Sequence, residues 1–239
     1  MIENKGVAMR RMMILLGCLL MTAPALAQDS DPDTHHPAIM MVPNEDGSES
    51  QFVVGDMAWG DVLATMVRLR AIDPAQSAAI AEDLWARRDL NAPIFLFEVA
   101  RLTAESNPDR ALQAYFLARA RTIYDASRCV DPSAIAVVDM ASAQAGDAIN
   151  DLLVSDPARV ASALERVIQS GEVFTGQASP WWACSSGSAA YYAAVNQAAM
   201  PREEWLKVES TWQPLRNAIT NNLNANLAMI RDGQLGRSQ

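Results

Sequence analysis

The chain has 239 residues, half of them apolar, and 28 acidic against 19 basic side chains give a net charge of −9. That balance argues against the Lys/Arg clusters that hold nucleic acid or an anionic membrane surface. Two histidines, three cysteines and 11 glycines also leave little material for histidine-based catalysis, metal centres or glycine-rich phosphate loops.

From Met9 the sequence reads MRRMMILLGCLLMTAPALAQDS. Arg10 and Arg11 form a positive start, and residues 12–22 form an apolar run too short to cross a bilayer. Ala25-Leu26-Ala27 has the small-x-small pattern of a leader-peptidase site. Residues 1–27 therefore read as a signal peptide cut between Ala27 and Gln28, with either Met1 or Met9 as the start. The rival reading is a lipoprotein anchor at Cys18. The apolar run continues past that cysteine, which argues against it. The expected location is the periplasm or the cell exterior, with no transmembrane segment in the mature chain. Residues 28–239 carry 16 basic and 27 acidic residues, a net charge of −11, and Lys207 is their one lysine.

Residues 28–50, QDSDPDTHHPAIMMVPNEDGSES, are polar and lack an apolar period. They read as a disordered acidic tail. QFVV at 51–54 reads as one short strand or an extended lead-in. Residues 51–239 are expected to form a single all-α domain. Four pairs punctuate it: Asp73-Pro74, Asn107-Pro108, Asp131-Pro132 and Asp156-Pro157. Each offers a capping side chain followed by a proline whose fixed φ and missing N–H suit a first helical turn. They divide the chain into helices at about 57–71, 74–88, 92–106, 108–127, 132–153, 157–170 and 201–231, with another near 186–199. Val160, Leu164, Val167 and Ile168 share one face of the 157–170 helix. Pro214 predicts a kink or break near Trp212. Short connections suggest antiparallel helical hairpins forming a bundle or a short repeat-like array.

The hairpin FLFEVARLTAESNPDRALQAYFLARAR, about 95–121, resembles a tetratricopeptide or Sel1-like unit. Phe95, Leu102, Ala111, Tyr115 and Ala118 carry the likeness, while Glu98 fills a slot that is apolar in that repeat. The resemblance implies a non-catalytic scaffold that binds protein.

Cys129 and Cys184 remain after cleavage, and an even pair in an oxidising compartment reads as a disulfide. Cys184 sits in SPWWACSSGSAAYYAA, where a nucleophile would need a base such as histidine. The histidines, His35 and His36, lie in the polar tail, and the papain-like look of WWACSS lacks a downstream histidine. Asp29, Asp31, Asp33, His35 and His36 could bind a metal weakly. They lack helix-borne spacing, so no metal site is expected. No P-loop or Gly-x-Gly-x-x-Gly occurs, and no cofactor is expected.

Glu105 in TAESNPDRAL resembles the Glu-Ser of lytic transglycosylases, which would make it a general acid. The glycine-containing segment that follows in that family is missing. Arg101, Arg110, Arg119, Arg121 and Arg128 suggest an arginine face, or else ordinary pairing with Glu105, Asp109 and Asp125. Trp181, Trp182, Tyr191 and Tyr192, with Arg119 and Arg121, form a candidate binding surface. The adjacent tyrosines lie about 100° apart on a helix, so one is expected in the core and one at the rim. The leading expectation is an exported, non-catalytic protein that binds a protein partner, such as an envelope scaffold or an immunity protein. The alternatives are a peptidoglycan-cleaving enzyme using Glu105 and a small-ligand binder with an aromatic pocket.

Overall fold

Each Asp-Pro or Asn-Pro pair starts a helical element, and each acidic or amide side chain caps it. Asp73 Oδ1 accepts from the Ala75 amide at 2.9 Å, and Asn107 Oδ1 accepts from Arg110 at 3.1 Å. Asp131 Oδ1 accepts from Ser133 at 2.9 Å, and Asp156 Oδ1 accepts from Arg159 at 3.0 Å. The caps satisfy amides that a helix start leaves without partners.

The computed structural model describes residues 33–43, 49–54, 65–71 and 73–233. The signal-peptide, Cys18, start-residue and Gln28 readings lie outside those residues, as do Asp29 and Asp31. The described elements begin with an antiparallel hairpin, β1 (Ala38–Pro43) and β2 (Glu49–Val54), with Ala38 opposite Val54 and Pro43 opposite Glu49. Helix α1 covers 65–70. A 3₁₀ turn, Pro74–Gln76, leads into α2 (Ser77–Ala86), and α3 (Ile94–Thr103) and α4 (Pro108–Arg128) follow. Then come α5 (Val137–Ser142), α6 (Asp147–Ser155) and α7 (Pro157–Ser170). The chain finishes with α8 (Trp181–Cys184), α9 (Ser188–Val195), α10 (Arg202–Trp205) and α11 (Trp212–Arg231). The fold is all-α apart from the hairpin, and among the described residues no helix is long and apolar enough to cross a membrane.

Helix α4 is the axis, packed by α3, α5, α6, α7, α8 and α11. Ala111, Ala114 and Ala118 are fully buried along it, and their small side chains let neighbouring helices approach closely. Val160, Leu164 and Val167 of the predicted α7 face are buried and Ile168 is half-buried, and α7 ends at Gly171 in the left-handed conformation. In the α3–α4 hairpin Ala111, Tyr115 and Ala118 are buried, and Phe95 and Leu102 are half-buried. Glu98 is completely buried and held by Arg70 at 2.7 Å and Arg101 at 2.8 Å. Two guanidinium groups thus compensate the carboxylate for its lost hydration.

Three expectations about the helices and the tail are corrected. The 132–153 helix is broken into a 3₁₀ turn (Pro132–Ala136), α5, a second turn (Ala143–Ala145) and α6. Gly146 makes the break, with φ 78° and ψ 178°, a conformation that a side chain resists. The 201–231 helix is also divided. Leu206 is extended, because it forms an isolated antiparallel bridge with Cys129. Val130 donates to the Trp205 carbonyl at 3.0 Å, and Lys207 donates to the Arg128 carbonyl at 2.8 Å. The break expected near Trp212 is present: helix α11 starts there, so Pro214 falls in its first turn, where the missing N–H costs nothing.

The third correction concerns the acidic tail, because residues 33–43 are part of the fold. The His35 ring stacks on Trp181 at 4.2 Å and 6°, and it meets the edge of Trp205 at 4.9 Å. His35 and Met200 exchange backbone hydrogen bonds of 3.0 and 2.8 Å. The Trp205 indole donates to the Asp33 carbonyl at 3.0 Å, and Arg202 lies 3.5 Å from the Asp33 carboxylate. The folded unit therefore includes residues ahead of 51, and QFVV is the second half of β2.

Candidate functional site

Cys129 and Cys184 form the expected disulfide, with Cα atoms 5.3 Å apart, and join the end of α4 to α8. A second fastening lies two residues further on. Asp131 caps its own turn through Oδ1. Through Oδ2 it accepts from the Ala189 amide at 2.7 Å and the Ser188 hydroxyl at 3.2 Å. The Ser188 amide donates to the Ser133 hydroxyl oxygen at 2.8 Å. Helix α9 begins after Gly187, which has no capping side chain, and Asp131 supplies the cap from a distant part of the chain. Burial pushes the Asp131 carboxyl upward. The Ala189 and Ser133 amides, aided by the Ser133 and Ser188 hydroxyls, outweigh it and hold the group below its ordinary value.

The close approach of Gly187 to this carboxylate gives a direct expectation. A Cβ there would sit 2.6 Å from Asp131 Oδ2 and 3.0 Å from its carboxyl carbon. Asp131 cannot swing aside without releasing the α9 cap. Gly187→Ala should therefore lower stability by about 1–2 kcal/mol, the usual loss of a capping interaction, as read by urea unfolding. A variant as stable as the parent would show that the cap contributes nothing.

Trp181 and Trp182 are buried, so they line no groove. Trp181 belongs to the cluster with His35 and Trp205. The Trp182 indole donates to Asp125 Oδ2 at 2.6 Å, and Arg128 pairs with the other oxygen. Burial pushes the Asp125 carboxyl up, opposed by the Arg128 charge and the Trp182 hydrogen bond. The aromatic-pocket expectation is thus corrected: both indoles fill the core.

The two tyrosines also depart from expectation. Tyr191 is 39 % exposed, Tyr192 63 % and Val195 52 %. Ser188, Tyr191, Tyr192 and Val195 are spaced i, i+3, i+4, i+7 and share one helical stripe, while Ala190 and Ala194 face inward. A separation of 100° still lets both rings stand on the outer face. They meet edge to face at 5.8 Å.

The arginine face resolves mostly into internal pairing. Arg101 binds Glu98, Arg128 binds Asp125, and Arg119 donates to Ser142 at 2.9 Å with Asp139 at 3.5 Å. Arg121 is buried and is a structural hub. It pairs with Asp89, and it donates to the carbonyls of Arg88 and Glu172 and to the Thr175 hydroxyl. A signal for this was present: Arg121 continues the inward stripe of Ala114, Leu117, Ala118 and Tyr124. Asp109 pairs with Arg159 and Arg166 at 3.7 Å. Glu105 is exposed in the turn between α3 and α4. Among the described residues, no three His, Cys, Asp or Glu side chains gather to hold a metal.

No family model, curated protein or solved structure matches the chain. The functional reading therefore rests on these residues alone.

Proposed function

We propose that the protein is an exported, non-catalytic helical module that binds another protein in the periplasm through the outer face of α9. The observation that carries this reading is the exposed Tyr191–Tyr192 pair, extended by Val195, on a helix capped by Asp131 and preceded by the disulfide-bound α8. Tyrosine offers large contact area at small entropic cost and is enriched where proteins dock. A rigid support keeps that face from paying an ordering cost on binding. The disulfide suits an oxidising compartment, and the α3–α4 hairpin resembles repeats that serve as binding scaffolds.

The test uses the mature protein and its Tyr191→Ala/Tyr192→Ala variant as baits in periplasmic extract. The proposal expects a specific partner on the parent protein that is lost, or at least tenfold depleted, on the variant. No specific partner, or equal recovery by both baits, overturns it. Both side chains are exposed, so circular dichroism should report an unchanged fold.

A further inference from the structure

A cleft of about 180 Å³ lies between α2 and the turn that joins α3 to α4. Its first wall is Ala78, Ala81, Glu82 and Trp85, which share one face of α2. The second wall is Thr103, Ser106, Asn107 and Arg110. The Arg110 guanidinium lies over the Trp85 ring, 4.2 Å from its centroid. Arg110 Nη1 is buried and has no hydrogen-bond partner. The other arginines nearby are all engaged: Arg70 and Arg101 with Glu98, Arg88 with Glu172, Arg121 with Asp89. Buried polar atoms are nearly always satisfied, so the orphaned nitrogen marks Arg110 as the arginine of this region, among the described residues, whose charge no carboxylate has claimed.

Two of the cleft's polar side chains are already committed. Thr103 donates to the Val99 carbonyl at 2.7 Å, and Asn107 Oδ1 caps the Arg110 amide. Arg110, the Ser106 hydroxyl and the Glu82 carboxylate line the cleft and remain to meet a ligand. A bare anion would be repelled by Glu82 and a bare cation by Arg110. A molecule carrying both charges satisfies each.

We infer that this cleft binds a small zwitterion, a free α-amino acid or a short peptide with small apolar side chains. This is a site distinct from the α9 face. The ligand carboxylate meets Arg110 and Ser106, since a guanidinium fork matches a carboxylate and its stacking on Trp85 holds it in place. The ligand ammonium meets Glu82. The side chain lies against Ala78, Ala81 and Trp85. The cleft is smaller than the roughly 300–1,000 Å³ sites that hold drug-sized ligands, which limits the ligand to a few residues at most.

Isothermal titration of the mature protein tests the assignment. The probes are L-alanine, L-alanyl-L-alanine, N-acetyl-L-alanine and L-alaninamide. The expected result is saturable binding of L-alanine or of the dipeptide. Tighter binding of the former identifies a free amino-acid site, and tighter binding of the latter a peptide site. The two half-charged probes should bind at least tenfold more weakly. Arg110→Gln and Glu82→Gln should each weaken the zwitterion at least tenfold. Glu82 is exposed on α2, so its variant keeps the test valid should Arg110→Gln disturb the fold. The inference is overturned if neither zwitterion saturates up to about 10 mM, if N-acetyl-L-alanine binds equally well, or if the Glu82 variant binds as the parent does.

Discussion

With Cys129 and Cys184 both changed to alanine, the free energy of unfolding is expected to fall by about 4 kcal/mol, the chain-entropy value for closing a loop of this length. The half-cystines are 55 positions apart and almost fully buried. The bridge acts chiefly on the unfolded chain, which regains the freedom that the cross-link removed. Alanine avoids placing an unpaired hydroxyl in the core. Urea unfolding of the variant, and of the parent with and without reductant, gives the measurement. A loss below about 1 kcal/mol would mean that closing this loop contributes little beyond the entropy of ordering a residue or so. In that case the Asp131 cap and the Cys129–Leu206 pairing would hold the corner unaided.

Arg121→Met should cost about 3 kcal/mol, within the range for breaking a buried charged network by removing one partner. Methionine keeps much of the volume along α4 and removes every donor. The Arg88 carbonyl then loses its partner, the Glu172 carbonyl keeps only Thr175, and Asp89 loses its paired counter-charge. Arg88 and Glu172 still clasp each other at 2.8 and 2.9 Å, which bounds the damage to the two loops. The effect depends on pH. Burial pulls the Asp89 carboxyl upward, but Arg121 and Thr175 more than reverse this and hold it below its ordinary value. A depressed carboxyl contributes stability above the unfolded group's pKa and loses it as pH falls through the folded one. The gap between parent and variant should therefore narrow on acidification through that window. Equal stability at neutral pH would sink the assignment of Arg121 as a hub.

The helix starts were readable because each is written in two adjacent residues, a capping side chain and a proline. The disulfide followed from parity and compartment, and α7 from its apolar stripe. What escaped depends on contacts distant in sequence. Gly146 breaks an alanine-rich run whose local propensity favours a continuous helix. Leu206 is pulled into an extended conformation by Cys129, and no local pattern announces that pairing. His35 sits among aspartates and prolines, so its composition suggests a tail while two distant indoles hold it. Tyr191 and Tyr192 were placed correctly on a helix, but which stripe faced outward depended on where Ala190 and Ala194 would pack. Arg110 was visible as one arginine among several. Its lack of a hydrogen-bonding partner emerged only once its neighbours had claimed theirs.

The seat of His35 also sets an order of assembly. His35 pairs with Met200 and rests between Trp181 and Trp205, so its partners lie far along the chain. A polypeptide emerges from its N-terminus at a finite rate, and closing so long a loop carries an entropic cost that local helices do not face. The hairpin α3–α4 can form early, from neighbours in sequence. The segment around His35 must wait until residue 205 exists. The region adjoining the segment read as an export signal thus finds its place late, and a chain cut short before α8 would lack Trp181, Met200 and Trp205 alike and leave it nowhere to dock.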